Sequence, residues 1–111
     1  MSRNLAASLR KGAPVFAALG DETRLRIIAR LASGEALSIA RITEGEAVTR
    51  QAITKHLDVL AEAGLVRDVR RGRERLWELQ PAPLDEARRY LELVSTQWDE
   101  RLARLKALVE D

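Results

Sequence analysis

The stretch TRQAITKHLDVLAEAGLVRDVRRGRERLWEL, Thr49 to Leu79, decides how this chain folds. Its first half carries helical periodicity. Ile53, Leu57 and Leu60 share one face, with Ala52 and Val59 beside it. Thr49 stands ahead of them as a capping residue, and Gly64 follows them as a stop. The second half changes period. Residues 65–70 and 74–79 read as two short strands about Gly72, a hairpin with Val69, Trp77 and Leu79 turned inward.

Working upstream, Ser38 caps a short third helix through Ile39 and Ile42. Asp21 caps a second helix, with Leu25, Ile28 and Leu31 expected on one face. Leu5, Leu9, Ala13 and Phe16 recur at helical spacing, which predicts a first helix loosened near Gly12 and Pro14. Downstream, Pro83 suits the first turn of a last helix running from about Leu84 to about Leu108. The order is four helices, a hairpin and a long helix. A short helix, a tight connection, a capped helix and a following hairpin together predict a winged helix-turn-helix, mostly α with a small β-hairpin wing. With no repeat or linker visible, residues 1–111 read as one domain. Within it, 38–63 form the helix-turn-helix, 65–79 the wing, and 1–18 and 84–111 two dimerisation helices.

The side chains left outward on this frame are chemically selective. The exposed N-terminal half of the fourth helix carries Thr49, Arg50, Gln51, Thr54 and Lys55 and no acid. Arginine forks to guanine, glutamine pairs with adenine, and threonine and lysine reach phosphates. The acids Asp58 and Glu62 come only in the C-terminal half. An ordinary solvated helix face explains such residues in isolation; their place between a short helix and an arginine-rich hairpin points to duplex DNA. Arg70, Arg71, Arg73 and Arg75 crowd that hairpin. Like charges on a thin loop repel, whereas contact with phosphates releases counterions and rewards them. Arg75 alternates onto the side of Trp77, so Arg71 and Arg73 are the stronger candidates. The competing explanations are a charged edge that deters sheet aggregation, or pairing with Glu74 and Glu78. Ser38 joins the DNA-facing set from the third helix.

Leu84, Leu91, Trp98 and Leu105 are spaced by seven, and Ala87, Val94 and Leu108 hold the offset of three, broken by Arg101. Leu102 and Val109 widen this seam. A seam that outlasts a compact domain needs a partner surface, and Leu5 and Leu9 of the first helix offer one. The expectation is a homodimer whose two recognition helices lie about one DNA turn apart on a pseudo-palindrome. The alternative is that the helix folds back on its own domain.

Composition narrows the classes further. Hydrophobic residues make 46% and charged residues 32% of the 111, which fits a folded chain and not a disordered one. Net charge is only +2, so the distribution matters more than the sum. Residues 67–75 are strongly basic, and from Pro81 onward acids outnumber bases. There is no cysteine, which removes disulfides, thiolate metal sites and cysteine nucleophiles. No apolar run approaches the roughly 20 residues of a membrane span, and residues 1–11 lack a signal-peptide stretch. The expectation is a cytoplasmic protein without membrane partner or cofactor. His56 is the lone histidine, one step off the buried face, and is expected as a boundary residue packing beside the wing. One histidine with no cysteine, phosphate loop or carboxylate pair argues against an enzyme.

With these residues in place, FAALGDETRLRII from Phe16 resembles the opening signature of the ArsR family of bacterial winged-helix repressors. VTRQAITKHLDVL from Val48 and AGLV from Ala63 are similar to its recognition helix and strand entry, and RGRERLWEL from Arg71 to its wing. The resemblance runs from about Phe16 to Leu79. It implies DNA-binding repressors that dimerise through first and last helices, many of them released by metal ions. The chain departs from the metal sensors, having no cysteine and no histidine on its last helix. Zinc and arsenic want thiolate or imidazole donors, so the metal role does not carry over. The segment Gln97-Trp98-Asp99 resembles a metal-free branch of the family, whose inducer the sequence does not name. Two other readings stand beside the repressor: a dimeric helical adaptor that binds protein, and a metal-responsive repressor using carboxylates.

Overall fold

A computed structural model describes residues 3–110. The elements are α1 (Arg3–Leu19), α2 (Glu22–Leu31), α3 (Ile39–Thr43), α4 (Arg50–Glu62), β1 (Val66–Arg71), β2 (Glu74–Leu79) and α5 (Pro81–Glu110). Met1 and Ser2, in the expected first helix, and Asp111, in the expected last one, lie outside the described residues.

Each internal helix starts where a side chain can satisfy its orphan amides. Asp21 accepts from the Arg24 amide at 3.0 Å, Ser38 from Arg41 at 3.2 Å and Thr49 from Ala52 at 3.1 Å. α4 stops at Gly64, whose φ of +75° suits glycine. There the Leu65 amide returns to the Leu60 carbonyl at 2.9 Å and the Gly64 amide to Ala61 at 3.0 Å. This pairing closes the last turn and turns the chain into β1.

The core gathers Val15 and Ala18 of α1, Ile27 and Leu31 of α2, Ile42 of α3, and Ile53, Leu57 and Leu60 of α4. Leu65, Val66 and Trp77 close it from the hairpin side. β1 and β2 pair antiparallel from Val66 opposite Leu79 to Arg71 opposite Glu74. The sequence reading lacked a third partner. Leu37 pairs with Trp77 through two backbone hydrogen bonds of 2.9 and 2.8 Å, so β2 is flanked on both edges. That coverage changes the inward set. Leu76 and Trp77 are both buried, while Val69 and Leu79 are only partly so.

Three helical expectations need correction. α1 runs unbroken through Gly12 and Pro14. Its buried face is Ser8, Gly12, Val15 and Ala18, not Leu5, Leu9, Ala13 and Phe16. α1 packs along α5 there: a Cβ on Gly12 would be in ordinary van der Waals contact with Tyr90 Cβ, at 3.8 Å. Phe16 meets the Tyr90 ring edge-on, with centroids 5.8 Å apart. On α2 the buried residues are Ile27 and Leu31, and Leu25 is 50% exposed. α5 begins at Pro81, earlier than expected; Pro81 and Pro83 both fall in the first turn, where a missing amide costs no helical bond.

The seam on α5 also divides. Ala87 is buried in the core and Leu84 packs against it, so both serve their own protomer. Beyond Ala87, Leu93 is still partly buried, whereas Leu91, Val94, Trp98, Leu102, Leu105, Leu108 and Val109 are exposed. At about 1.5 Å per residue the 30-residue helix is about 45 Å long, and the molecule extends 67 Å along its major axis. The distal half of α5 has outrun the core that its proximal half joins.

Candidate nucleic-acid interface

α4 reaches its position through contacts that sequence patterning did not show. The turn from α3 to α4 is tied to α2 by two arginines. Arg30 donates to the carbonyls of Ile42 at 2.8 Å and Glu44 at 3.0 Å. Arg26 Nε donates to both oxygens of the Glu46 carboxylate, at 3.1 and 3.2 Å. With Ile53, Leu57 and Leu60 driven into the core on its other side, α4 is held between packing and these clamps. Its N-terminal outward face then carries Arg50, Gln51 and Lys55, all exposed, with no side-chain partner among the described residues.

The two hydroxyl caps and Thr54 are less free. Ser38 and Thr49 accept hydrogen bonds from their own helices and keep their hydroxyl protons for an outside acceptor. Thr54 is half-buried and donates its proton to the Arg50 carbonyl at 2.9 Å, which leaves it only oxygen lone pairs and a methyl to offer.

On the hairpin, the arginines separate by partner. Arg67 pairs with Glu78 at 2.6 Å. Arg75 pairs with Asp68 at 3.0 Å, and its guanidinium carbon lies 4.7 Å from the centroid of the Trp77 ring. Arg70, Arg71 and Arg73 are exposed and unpaired among the described residues. They surround the turn at Gly72, whose φ of +63° again calls for glycine. Pairing has therefore removed two arginines from the wing and left three cations at its outer end.

His56 does not pack beside the wing as expected. It faces the start of α2, with Nδ1 3.2 Å from Arg24 Nη1 and 3.9 Å from Asp21 Oδ2. Arg24 also donates through Nε to the Ala18 carbonyl, so one arginine links α1, α2 and α4. The Asp21 carboxyl is held below the usual carboxylate range, chiefly by the Arg24 amide it accepts from. This cluster is a structural joint. Among the described residues no group of three or more His, Cys, Asp or Glu side chains converges as metal ligands.

Comparison with known proteins agrees with this geometry. A helix-turn-helix domain model matches residues 19–69. An uncharacterised HTH-type transcriptional regulator of Bacillus subtilis (strain 168), YuzN, is 40% identical over 76 residues, covering 63% of this chain and 83% of that protein. Among solved structures, an ArsR-like transcriptional regulator from Rhodococcus sp. RHA1 is 39% identical. It superposes with a TM-score of 0.78 over 92% of this chain and 95% of that one. The homodimeric winged helix-turn-helix DNA-binding domain Mb0332 of Mycobacterium bovis, a possible ArsR-family regulator, is 29% identical. Its TM-score is 0.62 over 94% of this chain and 93% of that one. The capped helix, the arginine-tipped hairpin and these likenesses agree: the chain belongs to the ArsR family of winged helix-turn-helix transcriptional regulators.

Proposed function

We propose that the chain binds a pseudo-palindromic duplex operator as a homodimer and represses transcription from it, acting in the cytoplasm and catalysing no reaction. α4 enters the major groove, with Arg50 and Gln51 reading base edges and Lys55, Thr49 and Ser38 on the backbone. Arg70, Arg71 and Arg73 meet phosphates from the wing, and Arg75 supports them from its place on Trp77. The observation that carries this reading is the selective pairing of charge. Arg67 and Arg75 have carboxylate partners, whereas Arg50, Lys55, Arg70, Arg71 and Arg73 are exposed and unpaired among the described residues. A surface that leaves so many cations uncompensated gains when an anionic polymer supplies the compensation.

The pairing of two copies rests on α5. Leu91, Val94, Trp98, Leu102 and Leu105 expose a stripe that the core of one copy does not cover. The Mycobacterium bovis relative is homodimeric, and a second copy of this chain covers the stripe here, with Leu5 and Leu9 of α1 at its margin. The test is duplex affinity against salt. The log of affinity should fall steeply and linearly with the log of salt concentration, with a slope near −0.9 per phosphate contacted. Arg71→Ala with Arg73→Ala should flatten it. A slope near zero in the wild type contradicts DNA binding and leaves the adaptor reading.

A further inference from the structure

A cleft of about 660 Å³ opens between α3 and the wing, lined in part by Ser38 and Arg71, which the reading above sets on the DNA backbone. One wall is Ser38, Ala40 and Arg41; the other is Arg71, Glu74 and Leu76. The pairing of Leu37 with Trp77 explains why these walls face each other. β2 runs inward from Glu74 to Leu79, and the isolated bridge at Leu37 is antiparallel to it. The chain leaving Leu37 therefore heads back toward the hairpin turn, which brings the start of α3 beside the outer half of the wing. Arg41 and Arg71 thus line one cleft, though 30 positions separate them in the sequence. The Arg41 side chain is 62% exposed, and its ion pair with Glu44 is long, 3.9 Å, and exposed, so it holds Arg41 only weakly. Arg71 is unpaired among the described residues. Glu35 and Glu74 also line the cleft, and neither is in ion-pair contact with either arginine.

We propose that this cleft is a seat for one phosphodiester of the DNA backbone, gripped from both sides by Arg41 and Arg71, with the Ser38 hydroxyl as a third donor. The seat rests on the DNA reading above and adds to it a residue, Arg41, that fixes the angle between the wing and the helix-turn-helix on the duplex. Two guanidiniums on separate elements converge on one anion with fork geometry that a single surface arginine lacks. Phosphate contacts of this kind set register and carry no sequence preference.

The experiment combines single variants with a neutral backbone. Duplex affinity is measured against salt for the wild type, Arg41→Ala, Arg71→Ala and the double variant. It is repeated on operator duplexes carrying one methylphosphonate, moved along the backbone. Both side chains are exposed, and circular dichroism checks that each variant keeps its fold. Each single change should lower the salt slope and weaken all sequences alike, and the two together should lower it by about 0.9 per protomer, the one phosphate they share. At one backbone position, methylphosphonate should weaken the wild type most, each single variant less and at that same position, and the double variant least. If Arg41→Ala keeps the wild-type slope while the wild type binds steeply, the seat is wrong and the DNA reading stands. Sensitivity of the two variants to different phosphates also overturns a shared seat. Absence of salt-dependent binding by the wild type overturns both.

Discussion

Replacing Trp98 with alanine should break the dimer and leave the protomer folded. A tryptophan side chain buries about 150–250 Å² when fully enclosed, and Trp98 keeps 58% of its surface exposed within one copy. About 90–145 Å² is then available to a partner. At about 25 cal/mol per Å² that area contributes roughly 2–4 kcal/mol per side chain. A two-fold interface counts the change twice, and alanine retains part of the contact, so the dimer should lose about 4 kcal/mol. That corresponds to about a thousandfold rise in the dimer dissociation constant. Sedimentation equilibrium over a concentration series measures it, and fluorescence supplies a second reading. The chain has two tryptophans, and Trp77 is buried in the core, so an emission shift that follows concentration reports Trp98. Thermal unfolding extrapolated to low concentration should match for the two proteins, because Trp98 lies beyond the core. A dissociation constant raised by less than about tenfold would refute the assignment of Trp98 to the interface.

Leu57→Ala removes a fully buried side chain from the middle of α4 and should cost about 2–5 kcal/mol. A melt followed by circular dichroism should show Tm lower by roughly 10 °C or more; an unchanged melt would mean that α4 does not anchor the core. Asp21 has a depressed carboxyl in the folded chain, so its contribution to stability is present above the unfolded value of about 4 and is lost as pH falls through the lower folded value. Asp21→Asn keeps an acceptor for the Arg24 amide and should narrow the gap to wild type in acid. Urea midpoints that stay parallel from acid to neutral pH count against that assignment. Arg50→Ala and Gln51→Ala should each weaken operator binding by about 1–3 kcal/mol and relax the choice of base. A uniform loss across sequences, seen in competition assays, would assign those side chains to phosphates instead.

The parts legible in the sequence were those governed by local rules. Asp21, Ser38 and Thr49 announced three helix starts, Gly64 a stop and Gly72 a turn, because capping and positive φ depend on a few neighbouring residues. What stayed hidden depends on partners distant in the chain. Gly12 and Pro14 look like helix breakers alone, yet α1 runs unbroken through them and Gly12 is buried beside Tyr90 of α5. Leu25 fits a helical stripe, but the stripe that matters follows Ile27 and Leu31. The cross-chain pairing of Leu37 with Trp77 had no periodic signal, and it buries Leu76 beside Trp77. The heptad count on α5 could not show that Leu84 and Ala87 serve their own core while Leu91, Val94, Trp98 and Leu105 face outward. On the candidate interface, residue type placed the cations correctly on α4 and the wing. Only the structure showed that Arg75 is engaged with Asp68 and Trp77, that Thr54 has spent its hydroxyl proton on α4, and that Arg41 and Arg71 line one cleft.

The central claim is that two copies present α4 and the arginine-tipped hairpin together to one face of a duplex. Hydroxyl-radical footprinting of the purified protein on the DNA upstream of its own coding sequence tests this most directly. The account predicts two protected patches related by a dyad, with centres about 10 base pairs apart or a multiple of that, and with flanking protection that disappears in Arg71→Ala with Arg73→Ala. A single unsymmetrical patch, or a footprint indifferent to those two arginines, would contradict it.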